Sequence, residues 1–239
     1  MSVSRIASNY QRVMERIQET ASKAGRDPEQ VRLVVVTKGH VVAQIQEAIE
    51  AGALLLGENY LEEAVGKIRA LAAYDQVEWH MIGHVQSRKA KQVCEQFAWV
   101  HSIDRLKVAN RLNAFAAEMG RTLPVLLECN VSGESSKFGW NAWEETDWVA
   151  RLKDFMEILR LENLQVRGLM MMAPYFEDAE LARPFFRKLR KFQSFLRGKL
   201  TEVDWGELSM GMSGDYQVAI QEGATILRIG TAIMGPRPV

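Results

Sequence analysis

The sequence predicts an α/β protein, a closed (β/α)8 or TIM barrel preceded by one extra helix, and three observations carry that expectation. Short apolar runs recur along the chain and alternate with longer segments whose apolar residues lie three and four apart. Strands that return after a helix pair in parallel, because a parallel crossover needs about a dozen residues. The chain also opens with an amphipathic helix, while only Gly230 to Val239 follow the last apolar run, too few for a full covering helix. An extra first helix that covers the seam left by a missing last one suits a closed barrel better than an open doubly wound sheet, which shares the same local signature.

The opening helix is read over residues 5–24, where Ile6, Tyr10, Val13, Met14, Ile17 and Ala21 form one stripe, and it stops at Gly25 with Asp27-Pro28 beyond. The eight expected strands are Val31–Val36, Ala53–Leu56, Val77–Ile82, Ala98–His101, Leu123–Cys129, Val166–Met172, Glu207–Ser209 and Thr225–Ile229. Between them, Val41–Ala51, Leu61–Ala72, Arg105–Glu118, Glu177–Leu200 and Tyr216–Glu222 carry helix formers in the helical period.

With 239 residues and 47% hydrophobic content the chain can bury a full core, and barrels of this size count as one domain, so residues 1–239 are expected to form one. Lys+Arg and Asp+Glu balance at 30 each, which leaves no global field to draw nucleic acid or an anionic membrane. Any anion site is therefore local. No apolar leader and no run of roughly 20 apolar residues is present, which predicts a soluble, cytoplasmic protein. Cys94 and Cys129, with no CxxC spacing, read as reduced packing residues.

In a parallel barrel the functional residues gather at the carboxyl ends of the strands. Thr37-Lys38, Gly57-Glu58-Asn59, Gly83-His84, Ser102, Asn130, Ser209 through Ser213 and Gly230-Thr231 occupy those positions. Lys38 directly follows Leu33-Val34-Val35-Val36, which puts an amine at the mouth of an apolar barrel. Burial disfavours its ammonium form, and a neutral amine is the form that captures an aldehyde as a Schiff base. Gly211-Met212-Ser213-Gly214-Asp215 leads into a helix near Tyr216, and its amides with the Ser213 hydroxyl suit a phosphate. Gly230-Thr231 adds a second hydroxyl and close backbone approach, and loops seven and eight of such barrels often share one phosphate.

The chain resembles the pyridoxal phosphate homeostasis protein family, whose members are similar to the barrel domain of alanine racemase without its second domain. The resemblance runs from about Val31 to Pro236 through VVVTK, LGENYLEEA, WHMIGHVQSRK, VHSID, NVSGESSKFG, RGLMMMAP, LSMGMSGDYQVAIQEGA and RIGTAIMG. It implies the alanine racemase N-terminal barrel, a fold type III pyridoxal 5'-phosphate (PLP) protein, with Lys38 as the Schiff-base lysine. Asn59 and His84 would then line the cofactor, Ser213, Gly230 and Thr231 would hold its phosphate with Ser209 nearby, and Arg228 would face the pyridine nitrogen. Lys137, in SGESSKFG, matches a second lysine that contacts the cofactor or helps release it. A guanidinium stays protonated, so an Arg228 that faces the ring nitrogen would donate to it and weaken the ring as an electron sink. One departure is that Gly39-His40-Val41 follows Lys38 where the family commonly has a short polar or aromatic pair and a proline.

The resemblance implies a cofactor reservoir that passes PLP to dependent enzymes rather than an enzyme of settled activity, and a monomer, since the racemase partner domain is missing. The alternative is a low-activity amino-acid racemase or lyase. Other readings fail on the residues. His80 and His84 lie about 13 Å apart along an extended strand, too far to share one zinc. Asp215 replaces the last glycine of a serine hydrolase G-x-S-x-G, and Glu58-Asn59 replace the Walker Lys-Ser/Thr after Gly52–Gly57. Arg88, Lys89 and Lys91 read as a solvated helix face rather than a nucleic-acid contact, and Trp140, Trp143 and Trp148 as helix packing.

Overall fold

A computed structural model describes residues 4–237. In chain order the elements are α1 (Arg5–Lys23), β1 (Arg32–Val36), α2 (Val42–Glu50), β2 (Leu55–Glu58), α3 (Leu61–Ala70), β3 (Glu78–Met81), α4 (Ala90–Gln96), β4 (Trp99–Ile103), α5 (Leu106–Glu118) and β5 (Leu123–Asn130). They continue with β6 (Trp140–Asn141), α6 (Trp148–Leu159), β7 (Leu164–Met170), α7 (Arg183–Lys199), β8 (Glu207–Ser209), α8 (Tyr216–Gln221), β9 (Ile226–Ile229) and α9 (Thr231–Met234). Strands β1, β2, β3, β4, β5, β7, β8 and β9 pair in parallel, each with the next, and β9 returns to β1 through Val34↔Arg228. The eight strands therefore close, as the alternation and the displaced first helix predict. The two-residue β6 is an addition, pairing only with the end of β5 through Cys129↔Trp140.

Helix α1 does cover the seam. Ile6, Val13, Ile17 and Ala21 are buried, and the helix packs against α2, α8 and α9. Asn9 Nδ2 donates to the Ile233 carbonyl at 3.0 Å, and Arg26 Nη1 to the Ile220 and Ala224 carbonyls at 2.6 and 2.8 Å. The core has two parts. A large shell lies between strands and helices, and a small plug of Val34, Leu126, Met170 and Ile226, with Leu55 and Trp99 against it, fills the barrel axis. Cys94 and Cys129 are buried, and burial pushes both thiols up, Cys94 to about 11.

Several boundaries differ from the sequence reading. The second strand, expected over 53–56, runs to Glu58, so Gly57-Glu58 lie within it. The fourth extends to Ile103, which takes Ser102 into the strand, where its hydroxyl donates to the Gly83 carbonyl at 2.5 Å. The helix expected over 177–200 breaks into a short 3-10 turn capped by Asp178 and then α7, with Pro184 in its first turn where a missing N–H costs nothing. Trp140 and Trp148 are buried against Phe155 and Phe192, whereas Trp143 lies under Lys188, whose Nζ is 3.5 Å from the ring centre.

Candidate functional site

Alternation along β1 turns Val34 and Val36 toward the barrel axis, and Lys38 continues that face. The intervening Thr37 points the other way and is fixed there. Its hydroxyl donates to Glu58 Oε1 at 2.6 Å, and its carbonyl accepts from Lys67 Nζ at 2.7 Å. Lys67 also donates to Glu58 Oε1 at 2.6 Å and Glu63 Oε1 at 2.5 Å, while Glu63 receives the Gly39 N–H. This cluster outside the barrel wall fastens the loop on both sides of Lys38 and leaves that side chain facing the mouth.

Lys38 lines a cavity of about 400 Å³ together with Asn59, Tyr175, Ser213, Gly214, Arg228, Gly230, Thr231 and Arg237. Its amine has no hydrogen-bond or ion-pair partner among the described residues. Burial lowers its pKa first, and the charge of Arg237 adds to that. At the other side of the cavity the loops after β8 and β9 meet, where the Ala232 N–H donates to Ser213 Oγ at 3.2 Å. Asp215 Oδ1 accepts the Met212 N–H at 2.6 Å and curls the first loop. A Cβ at Gly211, whose φ is +95°, would come within 2.6 Å of the Ala219 side chain, so the curl requires glycine. Among the described residues the Ser213 and Gly214 amides donate to no protein acceptor.

Arg228 is 4% exposed and faces no carboxylate within ion-pair distance among the described residues. Its Nη1 donates to Ser209 Oγ at 2.6 Å and its Nη2 to the Met171 carbonyl at 2.8 Å. Burial lowers its pKa to about 10, which keeps it charged at neutral pH. A buried cation held by neutral acceptors alone, two free amides and an unpaired lysine form a donor set for a ligand with an anionic end and a reactive carbonyl. That combination fits a phosphorylated aldehyde.

The predicted residues Lys38, Asn59, Ser213, Arg228, Gly230 and Thr231 thus share one cavity. Ser209 does not line it; the side chain is fully buried beneath Arg228. His84 lies in an adjoining cleft of about 350 Å³, which shares Asn59 and Met172 with the cavity. There the imidazole stacks on Phe138 at 3.9 Å, with its Nδ1 3.1 Å from Asp104 Oδ2. A Cβ at Gly83 would collide with the Asn59 backbone at 2.2 Å, so glycine at that position lets the two walls meet. Lys137 pairs with Glu134 and donates to the Met172 carbonyl at 3.4 Å, at the rim rather than in the cavity. Sequence reasoning missed Glu128, which lines the cleft at 3% exposure and whose carboxyl burial pushes up to about 7, with Asp104 adding to it. It also missed Arg237 and Tyr175, which stand in stretches with no periodic signal.

The family described as the alanine racemase N-terminal domain matches residues 2–238. The pyridoxal phosphate homeostasis protein of Vibrio alginolyticus is 42% identical over 98% of this chain and 99% of its own length. The chain belongs to the alanine racemase N-terminal domain family, among the pyridoxal phosphate homeostasis proteins. The Escherichia coli K12 member is 39% identical over 97% of each chain. PipY of Synechococcus elongatus PCC7942, solved with PLP bound, is 36% identical, with a TM-score of 0.79 over 92% of this chain and all of its own. Alanine racemase of Clostridium difficile 630, at 12% identity, shares the fold, with a TM-score of 0.69 over 95% of this chain and 60% of its own.

Proposed function

We propose that this chain binds pyridoxal 5'-phosphate in the 400 Å³ cavity and acts in intracellular PLP homeostasis as a carrier of the cofactor. The observation that carries the reading is the pairing, in one cavity, of an unpaired lysine amine of lowered pKa with a buried guanidinium that has no carboxylate within ion-pair distance among the described residues. The relatives named for PLP homeostasis and the PLP-bound PipY structure support it. Lys38 Nζ is the amine that would take the aldehyde carbon. The Ser213 and Gly214 amides, with Gly230 and Thr231, would receive the phosphate, and Arg228 would donate to the ring nitrogen. Asn59 walls the ring, and His84 stands across the cleft. When bound, the cofactor supplies a carbonyl carbon that amines capture and a ring that withdraws electrons.

Arg228 keeps its own proton and would donate to the ring nitrogen, which would leave the bound ring a weak electron sink and favours carriage over catalysis. The chain is a single barrel domain that works as a monomer in the cytoplasm and hands PLP to dependent enzymes. No helix among the described residues is long and apolar enough to cross a membrane. Tyr60, Phe138, Met172 and Tyr175, all exposed around the mouth, are where a recipient would approach. Lys137 acts on release through the Met172 carbonyl. The racemase or lyase alternative predicts exchange of an amino acid's α-proton in D2O, and a carrier shows none.

The deciding experiment adds PLP, reduces with borohydride and maps the modified residue by mass spectrometry. The wild type acquires the reduced cofactor on Lys38, and Lys38→Ala acquires none. Fixation spread over several lysines, or unchanged in Lys38→Ala, sinks the assignment.

A further inference from the structure

The barrel axis carries a line of polar side chains that the binding site by itself does not need. Arg228 Nη1 donates to Ser209 Oγ at 2.6 Å. Ser209 Oγ lies 3.0 Å from His101 Nδ1, and His101 Nε2 lies 2.9 Å from His80 Nδ1. Ser209, His101 and His80 are at most 1% exposed. The line ends at His80 Nε2, which has no hydrogen-bond partner and stands 3.8 Å from the carboxylate of the exposed Glu78 at the opposite end of the barrel.

A guanidinium can only donate, and this sets the direction of every later bond. Ser209 Oγ must accept from Arg228. Were it also to accept from His101, its own hydrogen would be buried with no acceptor, which is costly. The hydroxyl therefore donates to His101 Nδ1. His101 then carries its hydrogen on Nε2 and donates to His80 Nδ1, and His80 carries its hydrogen on Nε2, toward Glu78. Both imidazoles must be neutral for this order to hold. Burial pushes both down, with the nearby cations Arg228 and Arg32 pushing His101 further and Arg32 pushing His80, while Glu78 opposes the shift at His80.

We propose that His80, His101 and Ser209 form a one-directional hydrogen-bond chain that positions Arg228 for the cofactor ring and stabilises its charge from behind, where no carboxylate stands within ion-pair distance, alongside the longer-range fields of Glu128 and Asp215. All three groups turn their lone pairs toward the guanidinium, so their aligned dipoles do the work of a counterion. A carboxylate in that place would compete for the N–H groups that face the cavity; neutral acceptors behind the guanidinium leave those groups free. The inference rests on the proposed PLP reading for its consequence, but the order of hydrogens in the chain does not.

Nitrogen-15 NMR of the histidine rings tests that order without cofactor. Both His80 and His101 are expected as neutral rings protonated on Nε2 at pH 7, with and without PLP. A ring protonated on Nδ1, or a charged ring, overturns the proposal. PLP affinity then tests the consequence. His101→Leu breaks the chain and is expected to weaken binding by about tenfold to a hundredfold, the effect of one buried donor losing its acceptor. His101→Gln, whose amide both accepts and donates, is expected to restore it to within about threefold by the same logic. Ser209→Ala, a smaller change, removes the link nearest Arg228 and should match His101→Leu. Equal loss in His101→Gln and His101→Leu overturns the positioning role. If wild-type protein takes up no PLP, the cofactor reading falls, and the NMR result alone decides the chain.

Discussion

Two lysines lie on opposite sides of the same strand end and have opposite surroundings. Lys67, 6% exposed outside the barrel wall, donates to three oxygens, from Thr37, Glu58 and Glu63. Lys38, half-buried inside the mouth, has no hydrogen-bond or ion-pair partner among the described residues; burial and the charges of Arg237 and Arg228 lower its pKa, while Glu58 and Glu63 oppose the shift. Burial alone does not make an amine reactive. A buried amine held by carboxylates acts as a fastening, whereas burial without a direct anionic partner disfavours the ammonium and favours the neutral form that can act as a nucleophile. The two are coupled, because the Lys67 cluster grips Thr37 and Gly39 on either side of Lys38.

Substitutions can break or sharpen this contrast. The largest effect is expected from Lys67→Met, which removes the cation paired with the fully buried Glu58 and leaves its carboxyl only the Thr37 hydroxyl. Chemical denaturation should register a loss of about 3–5 kcal/mol. Glu128 comes next and tests whether a buried acid without an ion-pair partner among the described residues behaves as the converse of Lys38. Its pKa is raised from 4.5 to about 7 in the folded chain, so its contribution to stability is complete below about pH 4.5 and is lost as pH rises through 7. Glu128→Gln should therefore match the wild type near pH 4 and exceed it by up to about 3 kcal/mol at pH 8, seen as a flatter profile of urea midpoint against pH. A parallel profile would place that titration elsewhere.

Lys38→Met should change stability by less than about 0.5 kcal/mol, because no bond is lost, yet abolish borohydride fixation of PLP. Loss of stability comparable to Lys67→Met would erase the distinction between the two lysines. The smallest effect is expected from Arg237→Gln. Removing that cation raises the Lys38 pKa, so the pH at which fixation becomes half-maximal moves upward, and a downward or absent shift would remove Arg237 from the site.

Much of the cavity was legible because it is local. Lys38 follows a run whose period of two points it inward, and the Ser213 and Gly230-Thr231 loops follow consecutive barrel strands, which closure brings together. The mouth was harder to read where partners come from afar in the chain. Ser209, expected near the cofactor, lies directly under Arg228, and His84, expected to line the cofactor, stacks on Phe138 beside Asp104 in the cleft that adjoins the cavity; both positions depend on partners that no local pattern names. Arg237 and Tyr175 lie in segments with neither period nor motif, so only their fold back over the mouth reveals them.

The sequence by itself determined the alternation of strands and helices, the closed barrel, the covering role of the first helix and the strand ends that carry chemistry. Each of these follows from periodicity and short-range spacing. Tertiary structure alone decided which buried charges are paired. Thr37, Glu58 and Lys67 meet across 30 residues, and Arg228 reaches His101 through Ser209 across the barrel axis. Charge state and hydrogen-bond direction depend on neighbours brought together by closure, and a linear pattern does not encode those distances.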